Sequence, residues 1–223
     1  MTTNIALPET DRPAAGSRVP PDRSPTSHAA LTRVDAERLL GRTELDAALD
    51  DGTWTELWSG VVVPAQFAED RRTRAAAALL RAGPHAVLSG VTAVAMHGCT
   101  AARDDAVHVT IPYDRERRST ADLVFHQAWI RESDVVELDG LRVHALDFAT
   151  AELLCTGPQR MALACLEQTL DELAGNAEHF RWLVAERLAR RRDRRGTRRA
   201  AALLELAWSP SSAEEAEPVG GAR

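Results

Sequence analysis

Three histidines fall where a sheet would gather them. His108, His126 and His144 each alternate with apolar neighbours in the strand-like runs "AVHVTIP", "ADLVFHQA" and "DVVELDGLRVHAL". Alternation puts every second side chain on one face, so all three imidazoles would share an outer sheet face, as a three-histidine zinc site needs. Strand histidines are also ordinary half-exposed packing residues, and neither a metal nor another cofactor is expected. The pair Asp104-Asp105 looks like a metal-binding carboxylate pair, but neighbours in a strand point to opposite faces, so it marks a turn instead. The sequence holds no G-x-S-x-G elbow, no His-Glu-x-x-His and no glycine-rich phosphate loop. Trp129, Trp182 and Trp208 read as core residues. No catalytic constellation emerges, and an enzyme is not expected.

The cationic chemistry belongs to arginine alone. All 27 basic residues are arginine and lysine is absent, which a coding bias toward arginine explains. Whatever its cause, the absence removes the phosphate loop ending in Gly-Lys-Ser/Thr, Schiff-base chemistry and any nuclease motif built on an essential lysine. Residues 187–199, "RLARRRDRRGTRR", carry eight arginines and one aspartate, and "DRRTR" adds Arg71, Arg72 and Arg74. Such clusters suit the phosphates of DNA or RNA, or an acidic partner. Arginines near a helix C-terminus are equally favoured by the helix dipole and then remain simply solvated.

Against these stands "GRTELDAALDDGTWTELWSGVVVP", residues 41–64, with one arginine and five carboxylates, a net of minus four. Its pattern is a short helix followed by a two-stranded wing, the layout of a small DNA-reading module. Phosphate contacts dominate affinity, so an acidic face repels the duplex before any base is read. If folding brings them beside this segment, Arg71, Arg72, Arg74, Arg191, Arg192, Arg194 and Arg195 could supply the electrostatic grip that offsets its negative charge. Arg42, Thr43, Thr53 and Trp58 are then the candidates for base or groove contact.

The elements that must position these residues are legible as patterns. Residues 1–27 hold five of the eleven prolines without helical or strand period, and read as a disordered arm. Leu31, Val34, Leu39 and Leu40 give a helix over 28–40, capped by Thr32 or Ser27 and ended by Gly41. A second short helix stops at Asp51-Gly52, and "TWTEL" and "VVVP" pair about Ser59-Gly60. Residues 28–64 thus read as a winged helix-turn-helix, or as a helical cap on the larger domain. An alanine-rich helix broken by Gly83-Pro84, a helix capped by Ser89, two strands and an Asp139-Gly140 hairpin follow. Asp147 is the expected cap of "FATAELLC", and three further helices run 158–173, 176–192 and 197–207. Residues 65–208 are therefore an α+β domain, a small sheet packed with several helices, and 209–223 a disordered tail.

With 44% hydrophobic and 27% charged residues the composition is that of a soluble protein. No apolar run approaches the roughly 20 residues of a membrane span. Nothing reads as a secretion signal, and Cys99, Cys155 and Cys165 lack zinc or redox spacing. A cytoplasmic location with reduced thiols is expected.

The order of elements and the phrases "WTELWSGVVVP", "RTRAAAALLRAGPHAVLSGVTAVAMHG", "VHVTIP" and "LDGLRVHALDFATAELL" resemble the AbiEi-family antitoxins of type IV toxin-antitoxin systems, over about residues 28–208. The resemblance is to the actinobacterial type with an N-terminal winged helix. It implies a protein that binds the promoter of its own operon through that winged helix and represses it. It also implies a functional pairing with a nucleotidyltransferase-like toxin without a stable complex. Many such relatives continue into a nuclease-like domain, and this chain ends about where that domain would begin, in keeping with the missing lysine. Family wings commonly carry arginine or histidine where this chain has Glu56, Trp58 and Ser59, and their second helix is commonly more basic. Two other readings stay open. One is a non-enzymatic protein-interaction module whose winged helix no longer contacts DNA; the other is a remnant of a nuclease fusion.

Overall fold

The computed structural model describes residues 28–207. The expected arm over 1–27 and tail over 209–223, with Trp208, lie outside the described residues. What is described is a mixed α+β chain with two sheets. The first sheet has the order β1-β3-β2 and is antiparallel, with β1 at Leu31–Thr32, β2 at Trp54–Trp58 and β3 at Val61–Pro64. Between β1 and β2 come helices α1 (Arg33–Leu40) and α2 (Arg42–Asp50). Thr32 caps α1, its hydroxyl accepting from the Asp35 N–H at 3.1 Å. Gly41, at φ 95°, closes α1 and opens α2 in one residue, a backbone conformation that a side chain would strain.

The three valines of β3 explain why that strand is apolar throughout. Val61 and Val63 point into the main core, whereas Val62 packs with Ala36 of α1 and Leu45 of α2 on the opposite face. A strand buried on both sides has no polar face to alternate. The covering layer on the Val61 and Val63 side includes α3 (Arg71–Ala82), whose Ala75, Ala76, Ala77, Ala78 and Ala82 are buried. Methyl side chains let this helix lie close to its neighbours, and it packs against strands of both sheets.

The second sheet has the order β6-β5-β4-β8-β7, with β4 at Val87–Leu88, β5 at Val107–Ile111, β6 at Leu123–Gln127, β7 at Val135–Leu138 and β8 at Leu141–His144. Pairing is parallel for β5 with β6 and β4 with β8, and antiparallel elsewhere. Register aligns Val136, Val143, Leu88, Val109 and Phe125 across the sheet; Val143, Leu88 and Val109 are buried in the core with Phe125 packed against it, while Val136 on the edge strand β7 is exposed. Helices α4 (Gly90–Met96), α5 (Leu146–Thr156), α6 (Gln159–Leu173), α7 (Ala177–Arg190) and α8 (Thr197–Leu206) complete the fold. Their buried residues include Leu154, Leu166, Val184 and Leu204.

One core runs through the boundary drawn at residue 64, since Ala30, Trp58, Val61 and Val63 belong to the same buried cluster as Leu88, Val143 and Leu154. Two sequence expectations differ in detail. The helix expected over 28–40 begins only at Arg33, because Leu31 and Thr32 pair with Val62 and Val61. Asp147 does not cap α5: the helix starts at Leu146 after Ala145, and Asp147 accepts from Arg187 Nε at 2.7 Å.

Candidate nucleic-acid interface

In the N-terminal unit, Arg42 and Thr43 are exposed on the first turn of α2. Thr53 is exposed too, but its hydroxyl donates to Asp51 Oδ1 at 2.7 Å and lies 3.2 Å from the Ala48 carbonyl. This bond, with the Thr53 N–H, holds the Asp51 carboxyl below the usual carboxylate range. The Thr53 hydroxyl thus closes the end of α2. Glu56 serves the turn of the following hairpin, accepting from the Gly60 N–H at 2.6 Å. Arg33 lies between the two helices, paired with Glu37 at 3.2 Å and Asp46 at 2.6 Å. Local partners therefore occupy part of the acidic charge, while Glu44 and Asp50 of α2 stay exposed.

Trp58 faces inward. It is 8% exposed, its indole N–H donates to Asp122 Oδ2 at 2.9 Å, and the Arg74 guanidinium lies over its ring at 5.5 Å. Trp58 is therefore a fastening between the two sheets and leaves the groove-facing set. Burial alone would raise the Asp122 carboxyl, but bonds from Thr120 and Trp58, with the Arg74 charge, hold it low. Arg74 shares in this fastening, and Arg72 pairs with Asp139 at the β7–β8 turn. The His28 imidazole Nε2–H donates to the Asp139 carbonyl at 2.8 Å on the same turn. Arg71 is exposed and lines a cleft of about 330 Å³ with Arg74, Thr92 and the carboxylates Glu69, Asp104, Asp105 and Asp122. Four carboxylates around two guanidiniums make this cleft unsuited to a phosphate.

The second arginine group forms the loop between α7 and α8, and its seat is the C-terminal end of α5. Arg199 Nη2 donates to the carbonyls of Leu154, Cys155 and Gly157 at 3.2, 2.7 and 3.1 Å. These are helix-end carbonyls that lack intrahelical partners, so one guanidinium satisfies what the helix leaves open. Gly196, at φ 72°, passes directly over Cys155; an added Cβ would lie 2.9 Å from its carbonyl carbon. Inside the loop Asp193 is the organiser. Its carboxylate accepts from the Arg195 N–H at 2.9 Å, and its carbonyl accepts from Arg191 Nε at 3.0 Å. Thr197 closes the turn by donating its hydroxyl to the Arg194 carbonyl at 2.9 Å.

Within residues 187–199, Arg187 binds Asp134 and Asp147 at 2.5 and 2.7 Å and Arg190 binds Glu186 at 2.6 Å. Arg192, Arg194 and Arg195 are exposed, whereas Arg191 is half-buried and its charge acts on Glu152. The fold thus brings Arg74 against Trp58, turns Arg72 to Asp139 and Arg71 to the carboxylate-lined cleft, and seats the loop bearing Arg191, Arg192, Arg194 and Arg195 on α5 rather than beside residues 41–64. The sequence could not foresee that Asp193, its single acidic interruption, builds the loop. The Gly-Thr step after it was the available signal.

The histidines do not assemble as a triad. Register puts His108, His126 and His144 on one sheet face, but β4 separates the strand of His144 from that of His108. His108 and His126 instead point nitrogen to nitrogen at 3.0 Å, with rings only 11° from parallel. With centroids 5.3 Å apart the rings lie end to end in nearly one plane, which is the geometry of an N–H···N bond rather than a stack. Asp104 Oδ2 lies 3.1 Å from His108 Nε2, so His108 donates there and accepts at Nδ1. Asp104 also accepts from the Ala106 N–H at 2.9 Å, as a turn residue does. No group of three or more metal-ligating side chains occurs among the described residues. Trp129 and Trp182, expected in the core, are 80% and 57% exposed.

Burial pulls the His144 imidazole down to about 4, with the Arg187 charge adding to it and Asp134 opposing. A histidine held neutral in the fold contributes stability above its unfolded value of about 6.5, and loses it as pH falls toward 4. Urea unfolding at pH 7 and pH 4.5 should therefore show a decline of up to about 3 kcal/mol from this residue. His144→Leu should flatten that slope; an unchanged slope would assign the acid sensitivity elsewhere.

The cysteines Cys99, Cys155 and Cys165 are free and buried. Burial raises the Cys155 thiol, and burial together with the Cys99 neighbour pushes Cys165 up to about 12. Raised and buried, Cys155 and Cys165 are inert thiols.

Comparison with known proteins adds two findings. A crystal structure of the RV2827C protein from Mycobacterium tuberculosis matches with a TM-score of 0.57 at 14% identity, covering 82% of this chain and 73% of that one. That likeness concerns the fold. No curated protein matches. The model of the AbiEi antitoxin C-terminal domain matches residues 85–206, from His85 before β4 to the end of α8, more than half of the chain. The chain belongs to the AbiEi antitoxin family.

Proposed function

We propose that this AbiEi-family antitoxin is a DNA-binding autorepressor of its own operon, gripping the duplex through the α7–α8 arginine loop. The observation that carries this reading is the loop itself: Arg192, Arg194 and Arg195 are exposed on a backbone held by Asp193, Thr197 and Arg199. Guanidiniums on a preorganised turn meet phosphates with little ordering entropy left to lose. The N-terminal unit is read as a winged helix-turn-helix. The order β1-α1-α2-β2-β3 and the sheet β1-β3-β2 support that reading, and Arg42 and Thr43 are its exposed groove candidates. Arg71, at the carboxylate-lined cleft, and Arg72, paired with Asp139, add little to this grip. The chain acts without catalysis and pairs functionally with a nucleotidyltransferase-like toxin without forming a stable complex, as a type IV antitoxin. No helix among the described residues is long and apolar enough to cross a membrane. Binding to its own operon would place its action in the cytoplasm.

A reporter driven by the gene's own upstream region tests this in cells. Expression of the protein in trans lowers reporter output, and a scrambled upstream region stays unaffected. Equal output from both regions would contradict the autorepressor reading. A second reading has one observation in its favour, the acidic α2, whose Glu44 and Asp50 are both exposed. On that reading the N-terminal unit docks a basic protein partner and leaves DNA alone.

A further inference from the structure

Trp129 and Tyr113 are the most exposed aromatic side chains among the described residues, at 80% and 59%. Each stands two residues beyond the last paired positions of β5 and β6, Ile111 and Gln127. They meet edge to face, with centroids 6.1 Å apart and planes at 63°. The segment bearing Tyr113 is stitched down. Arg115 N–H donates to the Pro112 carbonyl at 3.1 Å, Gln127 Nε2 donates to the Arg115 carbonyl at 2.7 Å, and Phe125 N–H donates to Ser119 Oγ at 2.9 Å. The loop thus returns along the outer edge of β6 and holds the two rings at one corner of the sheet.

The charge around this corner is the reverse of the chain's. Arg117, Arg118 and Arg131 are exposed and have no ion-pair partner among the described residues. Arg115 is half-buried, and Asp114 and Glu116 are the opposing charges. Glu132 is engaged by Arg142 at 2.8 Å. Four guanidiniums against two carboxylates give plus two here, in a chain of net minus six. No large aliphatic side chain is exposed between residues 112 and 132, so the corner lacks the apolar surround of a protein-protein hot spot. It offers ring faces and guanidiniums, the two components that bind unpaired bases and their phosphates.

We propose that the Tyr113–Trp129 corner is a binding site for single-stranded nucleic acid. Bases stack on the open ring faces while Arg117, Arg118 and Arg131 pair with the phosphodiesters. A duplex keeps its base faces stacked on each other, so it gains nothing from the rings. The site uses no residue of the α7–α8 loop, and its argument does not rest on the autorepressor reading.

Fluorescence anisotropy with a labelled oligo(dT) strand of about 12 nucleotides tests it on the full chain. The wild-type protein binds with an affinity that falls with salt, and the double variant Tyr113→Ala, Trp129→Ala binds at least tenfold more weakly. Trp129→Phe, which keeps a ring face, retains most of the affinity. Both side chains are exposed, so melting curves of the variants should superimpose on the wild type. The variant with Arg191, Arg192, Arg194 and Arg195 replaced by alanine keeps its single-strand affinity whatever it does to operator duplex, which separates this proposal from the autorepressor reading. Undiminished binding by the double alanine variant, or no binding of the strand by the wild type, would overturn it.

Discussion

Alanine at Arg191, Arg192, Arg194 and Arg195 together should weaken operator binding on the order of a thousandfold, taking about 1 kcal/mol for each lost phosphate contact. The salt dependence is the sharper signature. Each contact releases counterions, so the slope of log K against log salt should flatten by about 3 to 4 in the quadruple variant. The fold should survive, because Arg192, Arg194 and Arg195 are exposed and the Arg191 hydrogen bond lies within the loop, its charge alone reaching Glu152 and Cys155 of α5. Duplex binding by the variant with the slope of the wild type would remove the loop from the interface. Arg71→Ala makes a useful contrast, since that residue lies at the carboxylate-lined cleft and should matter less.

The largest stability effect is expected from Gly196→Ala. The residue sits in the left-handed region at φ 72°, and its missing side chain leaves room for the Cys155 carbonyl of α5. The left-handed conformation alone costs an alanine about 1–2 kcal/mol, and overpacking against backbone adds about 1–3. A loss of roughly 2–5 kcal/mol corresponds to a melting temperature lower by about 5–15 °C for a domain of this size. Gly140→Ala is the matched control. Its φ of 78° is similar, but nothing lies within 4 Å of the added carbon. It should show the conformational cost alone, about 1–2 kcal/mol. Equal losses at the two positions would mean that the approach of the loop to α5 contributes nothing.

Local signals in the sequence carried most of the elements. Asp139-Gly140 turns the β7–β8 hairpin with both residues at positive φ, as its composition demands. Gly83 ends α3, Gly41 ends α1, and Ser59-Gly60 separates β2 from β3, each where the sequence put it. The two-residue strands β1 and β4 escaped, because a strand so short has no period and exists only through its partners, β3 for one and β5 and β8 for the other.

Side-chain roles were less legible than elements. Trp58, a candidate for groove contact in the sequence, turns inward, because its partner Asp122 lies 64 positions away and no spacing rule reaches it. The exposed Trp129 was misread for the opposite reason, since tryptophan composition argues for burial and only the paired strand ends place it beside Tyr113. The three histidines alternated correctly, and the sheet order alone separated the third. Arginine clusters could be found by eye. Which arginines hold the fold and which face outward depended on Asp134, Asp147 and the end of α5, all distant in sequence.

The most direct test of the account is equilibrium binding of the purified protein to duplex from immediately upstream of its own gene, against a scrambled duplex of equal composition, at low and moderate salt. Specific binding whose affinity falls steeply between the two salt conditions is the predicted result. Failure of a folded sample to prefer its own upstream duplex at low salt would contradict the autorepressor account and favour the acidic α2 face as a protein-docking surface.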